Sequence, residues 1–428
     1  MKSILLFSAA SFIFSASVLA QTPAAPPEKT PPTLDALIDE IVAHNPELAF
    51  YEAEIDAAQA GRKTAGAWAD PQLTIQGGRK RVRDSSGDLI GSGAAWEVSV
   101  TQTFEWPGRL GLRKSIANRQ VELAELGLDR FKAALRGRAR LLTYTLSAAQ
   151  QKAAATAEVA ARYQTLRELF LARDPAGLTP LLETRVIEAQ ELALKRRALA
   201  ADLAARAALL ELNQLRGAPA GEPVAPAETR FVFQSAPSLD ALLAAARENN
   251  FTYRIRKVEL EQQGFEASLA RHERYPTVAV TPFYSQEKAG DRETVAGVGI
   301  SVPLPLTSRT RAPAVIAGAR RRQAETMLVV AQRDLERAVT EAAGVFAATV
   351  SMNVQWQDDA VEKFRDAAEL ADRHFRLGAV PIATYVELQN SYLDAVEALL
   401  DTRREALEAG QQLQLLTGLD FQIAEVAR

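Results

Sequence analysis

The chain holds three histidines, His44, His272 and His374, and no cysteine. A metal site needs ligands gathered at short regular spacings, such as two histidines one helical turn apart. These histidines lie far apart in sequence, with no His-x-x-x-His pair among them. They read as surface or packing residues, and no metal site is expected. The missing cysteine also removes thiolate sites, a disulfide framework and a lipid anchor on an N-terminal cysteine. No Gly-x-x-x-x-Gly-Lys loop cradles a phosphate, and no Gly-x-Ser-x-Gly elbow presents a nucleophile. Serine, histidine and aspartate form no local catalytic pattern. Neither an enzyme nor a cofactor is expected. A net charge of −3 with 24% charged residues is balanced, so nothing points to nucleic acid.

With no chemistry to position, the long elements themselves need explaining. From Arg109 to Arg173 there is no proline, and good helix formers dominate. A helix of about 65 residues would be about 100 Å long, several times the globular average. Asp174-Pro175-Ala176-Gly177-Leu178-Thr179-Pro180 breaks it. A second proline-free run follows, from Leu181 to Gly217. Its apolar residues recur at steps of three, four and seven: Leu182, Val186, Ala189, Leu192, Leu199, Leu203 and Leu210. Such a stripe needs a neighbouring helix to cover it.

Residues 1–20 read as a secretory signal: Lys2, an apolar run from Ile4 to Leu19, and cleavage after Ala20. Residues 21–32, rich in proline, alanine and threonine, read as an extended leader. Beyond it no apolar run is long enough for a transmembrane helix.

The chain contains itself twice. Thr33-Leu34-Asp35-Ala36-Leu37 returns as Ser238-Leu239-Asp240-Ala241-Leu242, a shift of 205 that also takes Asn45 to Asn250, Glu54 to Glu259 and Pro71 to Pro276. Arg109 corresponds to Arg309 at a shift of 200. Gly177 corresponds to Gly378, Pro180 to Pro381, Leu192 to Leu393 and Gly217 to Gly418 at a shift of 201. Near-constant spacing predicts an internal duplication. Each copy opens with a helix capped by Thr33 or Ser238, running to about Ala69 or Tyr275, with a break at Asn45-Pro46 in the first.

Then the period changes to two. Leu73, Ile75 and Gly77 alternate with Gln72, Thr74 and Gln76; Trp96, Val98 and Val100 alternate with Glu97, Ser99 and Thr101. Val278 and Val280, then Ala296, Val298, Ile300 and Val302, do the same in the second copy. These read as strands with one apolar face. Arg79 to Ala95 and Gln286 to Arg292 read as loops. Four strands cannot close a barrel, since closed membrane barrels begin at eight, and an open sheet leaves raw edges. Three copies would give twelve strands, apolar outside and polar inside.

The secretory start, the duplicated helix–strand–strand–helix plan and the paired Gly-x-x-Pro turns resemble the TolC-type outer-membrane factors over essentially the whole mature chain. Gln102-Thr103-Phe104-Glu105-Trp106-Pro107-Gly108-Arg109 is similar to the strand-to-helix junction of the heavy-metal, CzcC-like branch. The resemblance implies an α+β membrane protein in the bacterial outer membrane. It implies a homotrimer whose 12-stranded β-barrel, four strands per chain, is continued into the periplasm by a long α-helical barrel. It also implies a periplasmic adaptor docking at the hairpin tips, and an inner-membrane pump, of RND type, behind it. The tips are Gly177, Leu178, Thr179 and Pro180, and Gly378, Ala379, Val380 and Pro381. Phe375-Arg376-Leu377-Gly378 keeps the family's aromatic-x-x-Gly lead-in; Asp174-Pro175-Ala176-Gly177 departs from it. The family's periplasmic constriction maps to Thr384 and Glu387, of which Glu387 alone is acidic. Three copies of Glu387 would form a ring favouring cations; a solvated helix-face glutamate is the other reading.

The expected division is a signal peptide at 1–20, a leader at 21–32, a first repeat at 33–217, a linker at 218–237, a second repeat at 238–418 and a tail at 419–428. Strands are expected near 72–79, 96–104, 276–285 and 293–302, and long hairpins over 109–217 and 309–418. The basic run Arg79-Lys80-Arg81-Val82-Arg83 in the first loop either touches lipopolysaccharide phosphates or is simply solvated. Arg320-Arg321-Arg322 falls on a charged helix face. Trp96 and Trp106 suit an aromatic girdle in outer-membrane lipid, and Trp106 equally suits packing at the junction; Trp68 and Trp356 read as helix-packing residues. The expected function is passive exit of heavy-metal cations. Efflux of drugs or other small molecules is the alternative, and a soluble periplasmic helical scaffold the rival from another class.

Overall fold

The computed structural model describes residues 34–171, 178–224, 231–304, 311–355 and 360–426. The expected signal peptide, leader and Thr33 cap lie outside the described residues, as do Gly177, Arg309 and Trp356. Helices α1 (Leu34–His44) and α2 (Leu48–Ala65) lead into strands β1 (Gln72–Arg83) and β2 (Leu89–Phe104), then helices α3 (Arg109–Leu171) and α4 (Leu178–Arg216). After the short strand β3 (Phe231–Phe233) the order returns. It runs through α5 (Leu239–Asn249), α6 (Phe251–His272), β4 (Val278–Lys288), β5 (Arg292–Ser301), α7 (Ala312–Gln355), α8 (Ala360–Arg376) and α9 (Ile382–Thr417), ending in β6 (Ala424–Val426).

At 63 residues, α3 is about 95 Å long. It packs on α2 and α6 beside the sheet, and on α4 and α9 farther away, so it runs the length of the molecule while its partners change. Tyr144, Val159, Tyr163 and Leu166 of α3 join α7, α8 and α9 in one core; Leu135, Ala139 and Leu146 join α1 and α4 in another.

Strands β1, β2, β4 and β5 form one antiparallel sheet in the order β1-β2-β4-β5, with β1 and β5 as its edges. Opposed residues share a face. One face carries Ile75, Val98 and Tyr284 in a row; the other carries Thr74 beside Ser99, and Thr101 within 3.0 Å of Thr281.

Several expectations need correction. The stretch from Arg79 to Ala95 is mostly strand, because β1 runs to Arg83 and β2 begins at Leu89. The turn is tight: Asp84 Oδ1 accepts from the Ser86 and Asp88 amides at 2.9 Å, and Gly87 has φ of 94°. A strand whose exposed residues are charged carries no apolar period, which is why it read as loop. Likewise β4 spans Val278 to Lys288 and β5 Arg292 to Ser301. Within the expected linker and tail, β3 and β6 pair with each other. The opening helix breaks in both halves, at Asn250 as well as at Asn45-Pro46. Helix α4 begins at Leu178, so Thr179 and Pro180 belong to its first turn, where a missing amide costs nothing. Trp68 follows α2 and meets Phe104 edge-on at 5.8 Å, so it does not pack between helices.

The apolar stripe of α4 is not covered within the chain. Leu192 is 71% exposed, and Val186, Leu199, Leu203 and Leu210 are exposed with it. Helix α4 buries the neighbouring stripe instead, through Ile187, Leu194, Ala208, Leu212 and Leu215. On the opposite flank, α7 exposes Val315, Met327, Val345 and Met352.

Candidate functional site

Two buried asparagines mark where the short helices meet. Asn45 Nδ2 donates to Leu215 O, near the end of α4, at 2.9 Å, while its Oδ1 accepts from the Glu47 amide at 2.9 Å. Asn250 repeats this: Nδ2 donates to Leu416 O in α9, and Oδ1 accepts from the Tyr253 amide, both at 2.9 Å. One side chain thus satisfies a donor at one helix start and an acceptor at another helix end. The α4 and α9 ends turn at Gly217 (φ 67°) and Gly418 (φ 62°). A Cβ on Gly418 would sit 2.5 Å from Asn249 Cβ, so glycine is required there. Asn213 donates to Ala220 O and Glu222 O, and Gln414 to Phe421 O, fixing the segments that follow.

The strand-to-helix junction is built from residues spread along its motif. Gln102 Nε2 donates to Ala69 O at 2.9 Å, and Glu105 pairs with Arg113 at 2.5 Å. Trp106 stacks on Tyr275 at 5.0 Å, and Pro107 leads to Gly108, whose φ of 93° turns the chain against the His272 ring. Arg109 is buried, 5% exposed, and among the described residues no carboxylate lies within ion-pair distance of it. Its guanidinium donates to His272 O at 2.9 Å and to Tyr275 O, covering the C-terminal end of α6. A cation at that end is favoured by the helix dipole and by orphan carbonyls. The start of α3 is thereby keyed to the other half of the chain. Sequence reading placed Arg109 in the motif but missed this role.

The second hairpin tip closes in a Schellman turn. The Gly378 amide donates to Phe375 O and the Ala379 amide to His374 O, both at 2.9 Å, with Gly378 at φ 72° and Pro381 as the cap of α9. Ala379 and Leu377 are exposed and Val380 is half-buried. At the first tip Leu178, Thr179 and Pro180 are helical. Behind the second tip, Phe375 stacks on Tyr385 at 5.1 Å, and Tyr385 lies 5.3 Å from Tyr163. Burial pushes both phenols well above their ordinary range.

Next to this cluster lies a charged network. Arg162 of α3 donates to Glu158 at 2.6 Å, Gln389 at 3.0 Å and Glu369 at 3.5 Å; Arg365 of α8 reaches Glu158 at 3.3 Å. It joins α3, α8 and α9. Thr384 and Glu387 lie on the exposed face of α9, one turn apart. Among the described residues no cation lies within ion-pair distance of Glu387, whereas Asp394 and Asp401 farther along pair with Arg197 at 2.6 Å and Lys152 at 2.8 Å. The structure does not bring the histidines together, and no group of metal-binding side chains occurs among the described residues.

The model of the outer membrane efflux protein family matches residues 37–218 and 242–419. The pyoverdine export outer membrane protein OpmQ of Pseudomonas putida is 24% identical over a 425-residue alignment covering 91% of this chain and 87% of that protein. The structure is similar to the open state of the Neisseria gonorrhoeae MtrE outer membrane channel, with a TM-score of 0.72 at 16% identity over 90% of this chain and 89% of that one. It is also similar to CusC, described in connection with transmembrane channel formation, with a TM-score of 0.72 at 15% identity over 90% and 91% of the two chains.

Proposed function

The chain belongs to the outer membrane efflux protein family, and from that premise we propose that it is the exit duct of a tripartite efflux system. One observation carries the reading: the chain is open on both flanks. The strand edges β1 and β5 are unpaired, and the outer helices α4 and α7 expose apolar stripes. A head-to-tail contact that joins one flank to the other generates a ring. Three copies give a 12-stranded barrel and, beneath it, a helical tube. The apolar face of the sheet meets lipid and the threonine and serine face meets water.

The duct carries no energy source. A periplasmic adaptor engages the tips around Gly177–Pro180 and Gly378–Pro381, and an inner-membrane pump of RND type supplies the substrate. The Arg162–Glu158 network holds the hairpins together near the constriction, and adaptor engagement spreads them. Glu387, on the exposed face of α9 and without an ion-pair partner among the described residues, forms the acidic ring of that constriction. Metal cations are the preferred substrate class, on the junction motif and Glu387. Small-molecule export is the second reading, favoured by the likeness to a pyoverdine exporter.

Membrane fractionation followed by mass measurement of the detergent-solubilised protein tests the assembly. A detergent-requiring particle of three chains is expected. A monomer released without detergent would instead make the chain a soluble periplasmic scaffold. Deletion of the chain should sensitise the cell to metal salts; lost secretion of a small organic molecule without metal sensitivity would favour the second reading.

A further inference from the structure

Along the apolar face of the sheet, the side chains change character at one level. Ile75, Val98 and Tyr284 form one row, and Gly77, Trp96 and Gln286 the next. The Trp96 and Tyr284 rings are 5.5 Å apart. Two residues farther toward the turns, about 7 Å along the strands, the same face carries Arg79 on β1 and the opposed pair Lys288 and Arg292 on β4 and β5. Arg81 stands one step beyond. All four cations are exposed.

The opposite face sorts its charges differently. Lys80, between Arg79 and Arg81, is paired with Glu287 at 2.6 Å and Glu293 at 2.7 Å. Glu97 lies on that inner face too, opposite Gln76. Among the described residues, none of the four outward cations has a carboxylate within ion-pair distance. Arg79 donates only to Ser92 Oγ, at 2.9 Å. The order apolar, aromatic, unpaired cation fits the edge of a bilayer whose headgroups are anionic.

We propose that Arg79, Arg81, Lys288 and Arg292 form a lipid-facing collar that binds the phosphate groups of outer-leaflet lipopolysaccharide. The inference rests on reading the sheet as a membrane wall. The helices leave from the opposite ends of the strands, so the collar faces the outer leaflet when the helices face the periplasm. Arg79 and Arg292 stand at opposite sheet edges. Closure with neighbouring copies would therefore repeat these cations around the barrel, offset by the stagger that closure requires. Guanidinium groups suit this task because they grip phosphate oxygens in pairs.

The test counts lipids bound to the full-length, detergent-solubilised assembly by native mass spectrometry. Bisphosphorylated lipid A is compared with its dephosphorylated form carrying the same acyl chains. The wild-type chain should prefer the phosphorylated lipid by on the order of tenfold, as several exposed charge-assisted contacts provide. The Arg79→Gln/Arg81→Gln/Lys288→Gln/Arg292→Gln variant should lose that preference. Arg320→Gln/Arg321→Gln/Arg322→Gln, which removes cations from α7, should keep it. Equal binding of the two lipids by the wild-type chain would overturn the collar without relying on any variant; so would an unchanged preference in the quadruple variant. Flotation of the wild-type chain with liposomes separates the two levels of the argument. A chain that does not float contradicts the membrane wall itself, and one that floats without lipid preference contradicts only the collar.

Discussion

Removing Asn45 or Asn250 should loosen the helix junctions that hold the long hairpins to the rest of the chain. Each side chain is almost wholly buried and makes two main-chain hydrogen bonds of 2.9 Å. Truncation to alanine removes the N-cap of α6 at Asn250 and the acceptor of the Glu47 amide at Asn45, each worth about 1 kcal/mol. It also leaves the Leu215 or Leu416 carbonyl unsatisfied, adding about 1–2 kcal/mol. Each single variant should therefore lose about 2–3 kcal/mol, and the double variant about 4–6, because the sites share no partner. Asn45→Asp keeps the acceptor and loses the donor, so it recovers at most the cap. Large proteins commonly unfold irreversibly, so the assay is far-UV circular dichroism melting in detergent at one fixed scan rate. Each alanine variant should melt a few degrees lower, and the double variant lower still. Alanine variants melting within about a degree of the wild-type chain would refute the clasp.

Other outcomes follow from the same geometry. Arg109→Ala exposes the α6 end and should lose about 2–4 kcal/mol in the same assay, with Arg109→Lys restoring only part because lysine lacks the fork; unchanged melting would remove Arg109 from the junction. Gly378→Val forces a β-branched residue into a φ of 72°. An added Cβ meets nothing within 4 Å, so the cost is backbone strain of about 1–2 kcal/mol. Assembly should survive while efflux-dependent resistance falls; normal resistance would count against the tip. Glu387→Lys should shift single-channel selectivity from cations toward anions, and unchanged selectivity would take Glu387 out of the constriction. Because burial raises the Tyr163 and Tyr385 phenols, the unfolded chain releases their protons first as pH climbs past the ordinary value of 10.0, and stability falls from there upward. Tyr385→Phe should flatten that alkaline loss at no cost near neutral pH, since the buried Tyr385 hydroxyl has no partner among the described residues; an unaltered alkaline slope would argue otherwise.

What could be read from the sequence follows physical locality. The alternation around Val98 and Ile300 marked strands because one face is apolar, and Asn45 and Asn250 stood out by their shared spacing. What Asn45 does could not be read, since Leu215 is 170 positions away. Arg79 to Arg83 looked like loop because a strand whose exposed residues are charged shows no apolar period. The α4 stripe was legible as needing a cover, but not that the chain packs the neighbouring stripe of Ile187 and Leu194 instead. Arg109 carried no signal of its own, because capping the far end of α6 needs only one arginine and a turn at Gly108.

Single-channel recording of the full-length protein in a planar lipid bilayer tests the central claim most directly. Discrete conductance steps should appear in the wild-type chain or, if the hairpins rest closed, in an Arg162→Ala/Arg365→Ala variant whose network is cut. Protein shown to be inserted, yet silent in both forms, would contradict a water-filled duct.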